Sequence, residues 1–289
     1  MNKNNSSVKV RRTIADVLIH LLLAVLSFIW VIPIVWVVLT SFRAERGSYV
    51  TTFFPKHYTL ANYVQLFTET DVMNFSRMFL NTLVVAAFSC VISTMFVLGV
   101  AYCTSRLRFR ARKFYMNFAM VITLFPGFMS MMAVYFILKS LGLTTGPLVI
   151  VALIICFSSG AGTGFYIMKG YMDTIPLGLD EAACLDGATK FQVFTKIIIP
   201  LSKPMIVYQI ITSFLGPWLD FIFAKIICGA QAKYFTVSIG LWSMLQKEYI
   251  DRWYTCFAAG AVCVSIPIAI LFMYTQRYYQ EAMSGAVKG

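Results

Sequence analysis

The chain is organised around residues 177–204, which read LGLDEAACLDGATKFQVFTKIIIPLSKP. This stretch is a polar island in a very apolar chain, and it holds Asp180, Glu181 and Asp186 together with several lysines. A charge at the centre of the hydrocarbon core of a bilayer costs on the order of 3 kcal/mol, so a membrane-spanning segment cannot have this composition. Residues 177–204 therefore lie in water or against a protein partner.

Two short helices are predicted within this stretch. The first runs roughly from Pro176 to Leu185, because a proline suits the first turn of a helix, where its missing N–H is no loss. The dipeptide Asp186-Gly187 predicts the turn that ends this helix. The second helix opens at a capping box, which is indicated by Thr189 and by Gln192 three residues later.

The first of these helices has one small, apolar face. Gly178, Ala182 and Leu185 share this face, and Ala183 beside them adds no bulk. Residues three and four apart are neighbours on a helix surface, so the three side chains form one patch. A short helix with so little side chain is suited to entering a narrow cleft on another protein.

The composition places the chain in a lipid bilayer. Of its 289 residues, 59% are hydrophobic and only 12% are charged. In an ordinary soluble domain about 25% of residues are charged. The mean hydropathy is +0.76. These values predict a polytopic membrane protein whose core is a bundle of apolar spans.

Six spans can be placed along the chain, so the predicted fold is an all-α polytopic membrane protein with six transmembrane helices. They cover about residues 17–39, 79–104, 114–138, 147–168, 205–227 and 254–276. An N-terminal segment, 1–16, precedes the transmembrane domain at 17–277, and the tail at 278–289 follows it. The polar loop between the fourth and fifth spans occupies residues 172–204.

The basic residues predict which side of the membrane each loop faces. The net charge is +12, and the basic residues lie in short clusters between apolar spans, so the positive-inside bias explains them better than nucleic-acid binding. The clearest cluster is SRLRFRARK at residues 105–113, which could also be a patch for lipid headgroups; both interpretations place it in the cytoplasm. Both termini and the loop at 172–204 fall on the same side, which carries the larger share of the 24 Lys and Arg residues.

Catalytic and metal-binding chemistry is not expected. The seven cysteines form no CxxC pair and mostly lie inside apolar spans, where cysteine behaves as a small hydrophobe. The two histidines, His20 and His57, are accompanied by no HExxH or GxSxG sequence, so an intramembrane hydrolase is disfavoured. No Walker-type GxxxxGK[ST] sequence is present either. We expect no metal, no cofactor and no enzymatic activity in this chain.

Two other stretches carry structural expectations. The polar segment at residues 40–78 contains many aromatic side chains, which favour a folded cap over a floppy linker. The fourth span contains SSGAGTG at residues 158–164. Small residues at this density let helices approach closely, or they widen a pore, and both interpretations remain open.

Several positions within residues 181–204 form a longer pattern in register. They are Glu181-Ala182-Ala183, Asp186-Gly187-Ala188, Phe194, Ile199-Pro200-Leu201 and Pro204. This pattern resembles the EAA loop of ABC-importer permeases, with one conservative departure at Ile199, where that family often has Leu. The resemblance implies a type I ABC importer permease fold, whose cytoplasmic EAA coupling loop docks on a separate ATPase subunit. The alternative is a helix pair that only joins two spans.

The resemblance also implies roles for individual residues of the loop. The coupling residues that it implies are Glu181, Ala182, Ala183, Asp186, Gly187 and Pro200. Glu181 is expected to face a basic residue of the ATPase cleft, while Ala182, Ala183 and Gly187 set the fit.

Three further stretches narrow the resemblance. They are Phe54-Pro55 with TLANY at residues 59–63, GPWLDFI at residues 216–222, and the ending SGAVKG at residues 284–289. They resemble the smaller permease subunit of maltose-type carbohydrate importers in the cell membrane of prokaryotes. The partners implied are a second homologous permease, an ATPase dimer and an extracellular sugar-binding protein. The alternative is an ABC permease for a non-sugar solute, which the coupling loop alone would allow.

Two more groups of residues are candidates for function. The tail, made of Gly285, Ala286, Val287, Lys288 and Gly289, resembles one that reaches between the two ATPase subunits. Possible pathway residues are Gly216, Pro217, Trp218 and Asp220. Asp220 is an ionisable residue inside a span, and such residues are functional candidates. Its structural alternatives are to cap N–H groups freed by Pro217 or to pair with Lys225.

Overall fold

The computed structural model describes residues 3–47, 52–70, 73–159 and 164–286, and it describes side chains between Ile14 and Tyr278 within these ranges. The described chain is helical apart from short connections and one isolated bridge between Arg43 and Tyr58. The predicted tail residues Val287, Lys288 and Gly289, and residues 160–163 of the small-residue run, lie outside the described residues.

Thirteen helices follow one another in the described part of the chain. They are α1 (Lys3–Ser41), α2 (Ala61–Thr68), α3 (Phe75–Arg106), α4 (Arg112–Thr123), α5 (Gly127–Ser140), α6 (Leu148–Ser159), α7 (Gly164–Thr174), α8 (Leu177–Leu185), α9 (Lys190–Leu201), α10 (Lys203–Leu219), α11 (Ile222–Cys228), α12 (Val237–Met244) and α13 (Ile250–Ala286). A single 3₁₀ turn at Ala232–Tyr234 joins α11 to α12.

Four stretches are long and apolar enough to cross a bilayer. They are Ile14–Ser41, Phe75–Arg106, Leu148–Thr174 and Ile250–Tyr278. Two bent helix pairs, α4 with α5 and α9 with α10, pass the same test only when each pair is taken together. The count reaches the predicted six if each bent pair is one span. The fold class predicted from the sequence, an all-α polytopic membrane protein, is confirmed.

The third predicted span, residues 114–138, is not a straight helix. It is divided between α4 and α5, which meet at an angle of 104°. Pro126 has φ −55° and ψ 126°, so the backbone is extended there and a helix cannot run through it. With 12 and 14 residues, the two helices are only about 18 and 21 Å long. Neither alone reaches across a hydrocarbon core of about 30 Å.

The fifth predicted span, residues 205–227, is also interrupted. A proline commonly breaks a helix, but Pro217 lies inside α10, which continues to Leu219. The break comes at Asp220, whose backbone is extended, with φ −78° and ψ 126°. A new helix, α11, then begins at Ile222. The bend before the span, 79° between α9 and α10, lies next to Pro204, which cannot extend α9.

The chain divides into two compact units, of which the first comprises residues 1–68 and 244–263. Its loop after α1 is folded around Arg43, which is only 2% exposed and donates hydrogen bonds to Thr52 and to the Phe53 carbonyl. Asn62 of α2 donates to the carbonyls of Ser41 and Arg43. The part of residues 40–68 that the structure describes is therefore a folded cap, as the aromatic composition predicts.

The second unit, residues 69–243 and 264–289, is built around α3. One apolar cluster contains Val85, Leu138, Val149, Ala152, Leu153, Ala224, Ile227, Cys228 and Ile239. The other contains Val97, Ala101, Tyr102, Phe165, Met168, Met172, Ile175, Val193 and Ile198. Because α3 contributes to both clusters, it connects the packing of α6 and α11 with that of α7 and α9.

Candidate functional site

The helix α8, at the centre of the predicted coupling loop, has the expected bounds. It spans Leu177–Leu185, with Pro176 at the N-cap rather than in the first turn. Gly187 has φ +85°, the left-handed conformation that glycine adopts readily just after a helix. The Ala188 N–H donates to the Ala183 carbonyl at 2.9 Å and closes the helix end. The predicted turn at Asp186-Gly187 is confirmed.

The capping box at the start of α9 is also present. The Thr189 backbone N–H donates to Gln192 Oε1 at 2.8 Å, and the Gln192 N–H donates to Thr189 Oγ1 at 3.3 Å. These two bonds satisfy donors that would otherwise have no partner at a helix N-terminus. Lys190, the next residue, donates to Cys184 Sγ at 3.3 Å, and this bond raises the pKa of Lys190.

One face of α8 points to solvent in this chain. Gly178, Glu181, Ala182 and Leu185 are all exposed, and Leu185 is 90% exposed. The exposed apolar surface continues on Leu177, Leu179 and Phe191. The small, apolar face predicted for this helix is therefore confirmed as free surface. A contiguous exposed apolar patch next to a carboxylate is typical of a surface that binds another protein.

The opposite face of α8 is packed inside the chain. Ala183, Cys184 and Ala188 are partly buried against the cluster that contains Met172 and Val193. Among the residues assigned to coupling, Ala183 is thus held inside this chain. Glu181, Ala182, Asp186, Gly187 and Pro200 are exposed.

The helix α9 contains a widened turn. Residues Phe194–Ile198 form a π-helical turn, and the Ile199 N–H donates to the carbonyl of Phe194, five residues back. Pro200 has no N–H to donate to the carbonyl of residue 196, and its ring crowds that carbonyl. These two effects account for the wider hydrogen-bond spacing in this turn. The end of α9 is held by Tyr171, whose hydroxyl donates to the Leu201 carbonyl at 3.1 Å.

A buried ion pair connects α8 to the end of α3. Arg106, the last residue of α3, places its Nε 3.6 Å from Asp180 Oδ2, and the two side chains are 3% and 10% exposed. Arg106 also donates to the carbonyls of Met172 and Ile175 at 2.7 and 2.8 Å. Sequence reasoning missed this contact, because it assigned Arg106 only to a basic cluster and Asp180 only to the polar stretch.

A polar cleft of about 460 Å³ lies on the membrane part of the second unit. Its polar lining comes from Ser93, Tyr208, Gln209, Thr212, Ser213 and Asp220. Gln209 is buried, and its Nε2 donates to Ser93 Oγ at 3.0 Å. Hydroxyl, amide and carboxylate groups in an otherwise apolar cleft can bind and orient a ligand that carries hydroxyl groups.

The four possible pathway residues are divided by the structure. Gly216 and Asp220 line the polar cleft. Pro217 and Trp218 are buried elsewhere, and the Trp218 ring packs 5.2 Å from the ring of Phe79. The hydrophobic pair is therefore part of the core, while the other two residues remain candidates for a pathway surface.

Asp220 has a structural role in addition to its position in the cleft. Its Oδ1 accepts a hydrogen bond from the Ala224 N–H at 2.8 Å, so it caps the first turn of α11. Lys225 Nζ lies 4.1 Å from the centre of the Phe235 ring. Of the two structural alternatives for Asp220, a cap is therefore observed, at the start of α11 rather than at N–H groups freed by Pro217, and an ion pair with Lys225 is absent from the described residues.

Gly164 is the last residue of the run of small residues at 158–164, for which close helix packing and a wider pore were the two interpretations. A Cβ built on Gly164 would lie 3.2 Å from Gln209 Oε1, closer than most real contacts. At this position the missing side chain lets α7 approach α10, which favours close packing. Residues 160–163 of the run lie outside the described residues, so the other interpretation is not decided there.

Comparison with known proteins gives concordant matches. The family model described as "Binding-protein-dependent transport system inner membrane component" matches residues 94–285. The galactooligosaccharides transport system permease protein GanQ of Bacillus subtilis (strain 168) is 33% identical over 98% of this chain and 99% of its own length. The maltodextrin transport system permease protein MalD of Streptococcus pneumoniae is 30% identical over 99% of this chain and 100% of its own.

A solved structure has the same fold. It is described as a bacterial ABC transporter involved in the import of the acidic polysaccharide alginate. One of its chains superimposes with a TM-score of 0.73 at 22% identity, and the match covers 92% of this chain and 97% of that one. This chain therefore shares the fold of a chain of that transporter.

Proposed function

Because this chain belongs to the family of binding-protein-dependent transport system inner membrane components, we propose that it is the permease subunit of an ATP-driven oligosaccharide importer. The observation that carries this proposal is the end-to-end match to permeases named for galactooligosaccharides and maltodextrin. The polar cleft supports the same proposal, because a sugar presents hydroxyl groups to hydroxyl and amide partners.

The proposed assembly has four kinds of component. This chain pairs with a second, homologous permease, and an ATPase dimer and an extracellular sugar-binding protein complete the importer. Both termini and the loop at 172–204 face the cytoplasm in this proposal, which the distribution of Lys and Arg supports. The tail at Gly285–Gly289 contacts the ATPase dimer.

The exposed face of α8 is the proposed docking surface for the ATPase. Ala182 and Gly178 leave room for the helix to enter a cleft, and Glu181 supplies a charge for a basic partner group. Closure of the ATPase dimer on ATP would then move α8, and the two permeases would change from inward-open to outward-open. In this scheme ATP is hydrolysed in the ATPase subunits, not in this chain.

The proposal is tested in vesicles that contain the complete importer. Substitution Glu181→Lys is expected to lower sugar uptake about tenfold or more while the protein still inserts, because a like charge then faces the ATPase. The matched control is Asp16→Lys, an equal charge change on an exposed residue of α1. Uptake of labelled galacto- and malto-oligosaccharides is measured with the binding protein present.

Two results would contradict parts of this proposal. Unchanged uptake by the Glu181→Lys variant would remove Glu181 from the coupling mechanism. A wild-type importer that hydrolyses ATP in response to its binding protein but takes up a non-sugar solute would establish the alternative permease function. Identifying the ligand carried by the binding protein directly distinguishes a sugar importer from an importer of a non-sugar solute.

A further inference from the structure

The last turn of α3 contacts both helices of the coupling loop. Tyr102 donates its hydroxyl to the Lys190 carbonyl at 2.9 Å, and its ring lies 4.6 Å from that of Phe194, both in α9. One turn later, Arg106 lies beside Asp180 of α8. A single end of one long helix is thus attached to α8 and to α9.

Arg106 also attaches the end of α7. Its two hydrogen bonds go to the carbonyls of Met172 and Ile175, which lie at and just after the C-terminal turn of α7. Helix C-termini leave carbonyl groups without partners and carry a partial negative charge, so a guanidinium is well suited to this position. Arg106 therefore holds α3, α7 and α8 at one point.

The ion pair itself is incompletely satisfied. A distance of 3.6 Å from Arg106 Nε to Asp180 Oδ2 is longer than a hydrogen bond, although both side chains are almost fully buried. Among the described residues, Arg106 Nε and Asp180 Oδ1 have no hydrogen-bond partner. Two buried charges need excellent geometry to offset the loss of solvation, so this pair is poorly explained as a device for stability alone.

The position of Arg106 suggests what else the pair does. The helix α3 carries Arg106 at its C-terminal end and Ser93 in the wall of the polar cleft, about 20 Å away at the rise of an α-helix. A displacement of α8 that reaches Arg106 would therefore reach the cleft through a single rigid element. A packed helix transmits such a displacement, because protein interiors are close-packed.

We propose that Arg106 is a positioning residue for energy coupling, and that its contact with Asp180 makes α8, α7 and α3 move as one body. This inference rests on the proposed function, since it assumes that α8 receives the movement of the ATPase. It adds to that function a residue that is not on the docking surface and that acts through Asp180.

The test uses the complete importer in vesicles, with variants Arg106→Gln, Asp180→Asn and the combination of both. The matched control is Lys169→Gln, which removes the nearby, more exposed ion pair with Asp173 within α7. Three quantities are measured: the amount of assembled complex, ATP hydrolysis per complex with and without loaded binding protein, and sugar taken up per ATP. The wild-type importer provides the reference for each.

We expect each single variant to assemble and to lower uptake per ATP about tenfold, which is in the usual range for coupling between sites. The double variant should be no worse than the more affected single variant, because Asp180→Asn removes only a contact that Arg106→Gln already breaks. Arg106→Lys should recover part of the loss, since an ammonium keeps the charge but cannot reach both carbonyls and the carboxylate. The Lys169→Gln control should behave as the wild type.

Three outcomes would overturn the inference. One is less assembled complex with normal uptake per ATP in what remains, which would make the pair merely structural. Another is a double variant whose loss is the sum of the two single losses. If Arg106→Gln fails to assemble, the near-isosteric Asp180→Asn decides, and normal uptake per ATP in that variant counts against coupling. A wild-type importer without stimulated ATP hydrolysis would instead overturn the proposed function itself.

Discussion

Two regions of this protein are each built around a buried arginine, and they use it differently. Among the described residues of the first unit, Arg43 donates hydrogen bonds to Thr52 and Phe53, nine and ten residues further along the same loop. In the second unit, Arg106 binds groups at Met172, Ile175 and Asp180, which are distant in sequence. The first arginine folds a loop onto itself, and the second ties separate helices together.

The partners of the two guanidinium groups also differ. Arg43 makes three hydrogen bonds in a cap that Asn62 further braces, and its contact with Glu45 at 3.9 Å is long. Arg106 makes two hydrogen bonds and keeps a loose contact with a buried carboxylate. The Nε of each guanidinium has no hydrogen-bond partner among the described residues, so the two sites differ in the reach of their contacts and not in how completely they are satisfied. Contacts within one loop serve stability, whereas a link between helices is what transmission requires. The comparison therefore separates residues that hold a fold from residues that couple its parts.

The largest expected effect, on stability, comes from Arg43→Ala. The substitution removes a side chain that is only 2% exposed and leaves the partly buried carbonyls of Thr52 and Phe53 without these donors, so we expect a loss of about 3 kcal/mol in the free energy of unfolding. Thermal unfolding can be followed with a thiol-reactive dye, because Cys256 is buried in the same unit. The control is Arg46→Ala, which changes an exposed arginine of the same loop.

We expect the Arg43→Ala importers that remain folded to take up the normal amount of sugar per ATP. That result would support a role for Arg43 in stability and not in coupling. A folded Arg43→Ala importer with low uptake per ATP would break the comparison, because the cap would then also take part in coupling.

A smaller loss is expected from Asn62→Ala. The Asn62 amide donates to the Ser41 and Arg43 carbonyls at 2.9 and 2.7 Å, and its oxygen accepts from Thr255 Oγ1 at 2.9 Å. Removing the side chain leaves three buried groups without this partner, and we expect a loss of about 2 kcal/mol. The same dye measurement applies, with Val64→Ala on the exposed face of α2 as the control. Equal stabilities of the two variants would contradict the assigned role of Asn62.

The smallest expected effect concerns the end of α8. In Gly187→Ala the new Cβ meets no atom within 4 Å, so the only penalty is the backbone conformation at φ +85°, about 1 kcal/mol. Amide hydrogen exchange of residues 177–188 should become about fivefold faster. Gly178→Ala is the matched control, since its backbone is not left-handed and its Cβ also has free space. Unchanged exchange after Gly187→Ala would show that the helix end does not need glycine.

The sequence allows the local structure of the coupling loop to be predicted closely. Caps and helix ends depend on residues a few positions apart, so Thr189, Gln192 and Gly187 could be assigned from their spacing. The contact of Arg106 with Asp180 could not, because no local pattern records which distant charge a buried carboxylate meets. Within the described residues, that contact is visible only once α3 and α8 have packed.

The membrane spans show the same limit. Pro126 lies where the third span is interrupted, but a proline marks where a helix stops and not the direction of the next one. The 104° angle between α4 and α5 depends on packing that hydropathy does not contain. Likewise, Trp218 and Asp220 were adjacent candidates in one motif, and only the structure separates a core side chain from a residue of the cleft.

The π turn at Phe194–Ile198 has a consequence for how the surface of α9 is drawn. A turn that closes on the fifth residue contains one more residue than an α turn. Later side chains are therefore displaced by one position, about 100°, on a helical wheel. A wheel drawn with uniform periodicity through Lys190–Leu201 places Ile199, Pro200 and Leu201 on the wrong side. The segment behaves like a helix that has accepted a one-residue insertion. When its surface is compared with that of a relative, the residues before and after the π turn therefore need separate helical wheels.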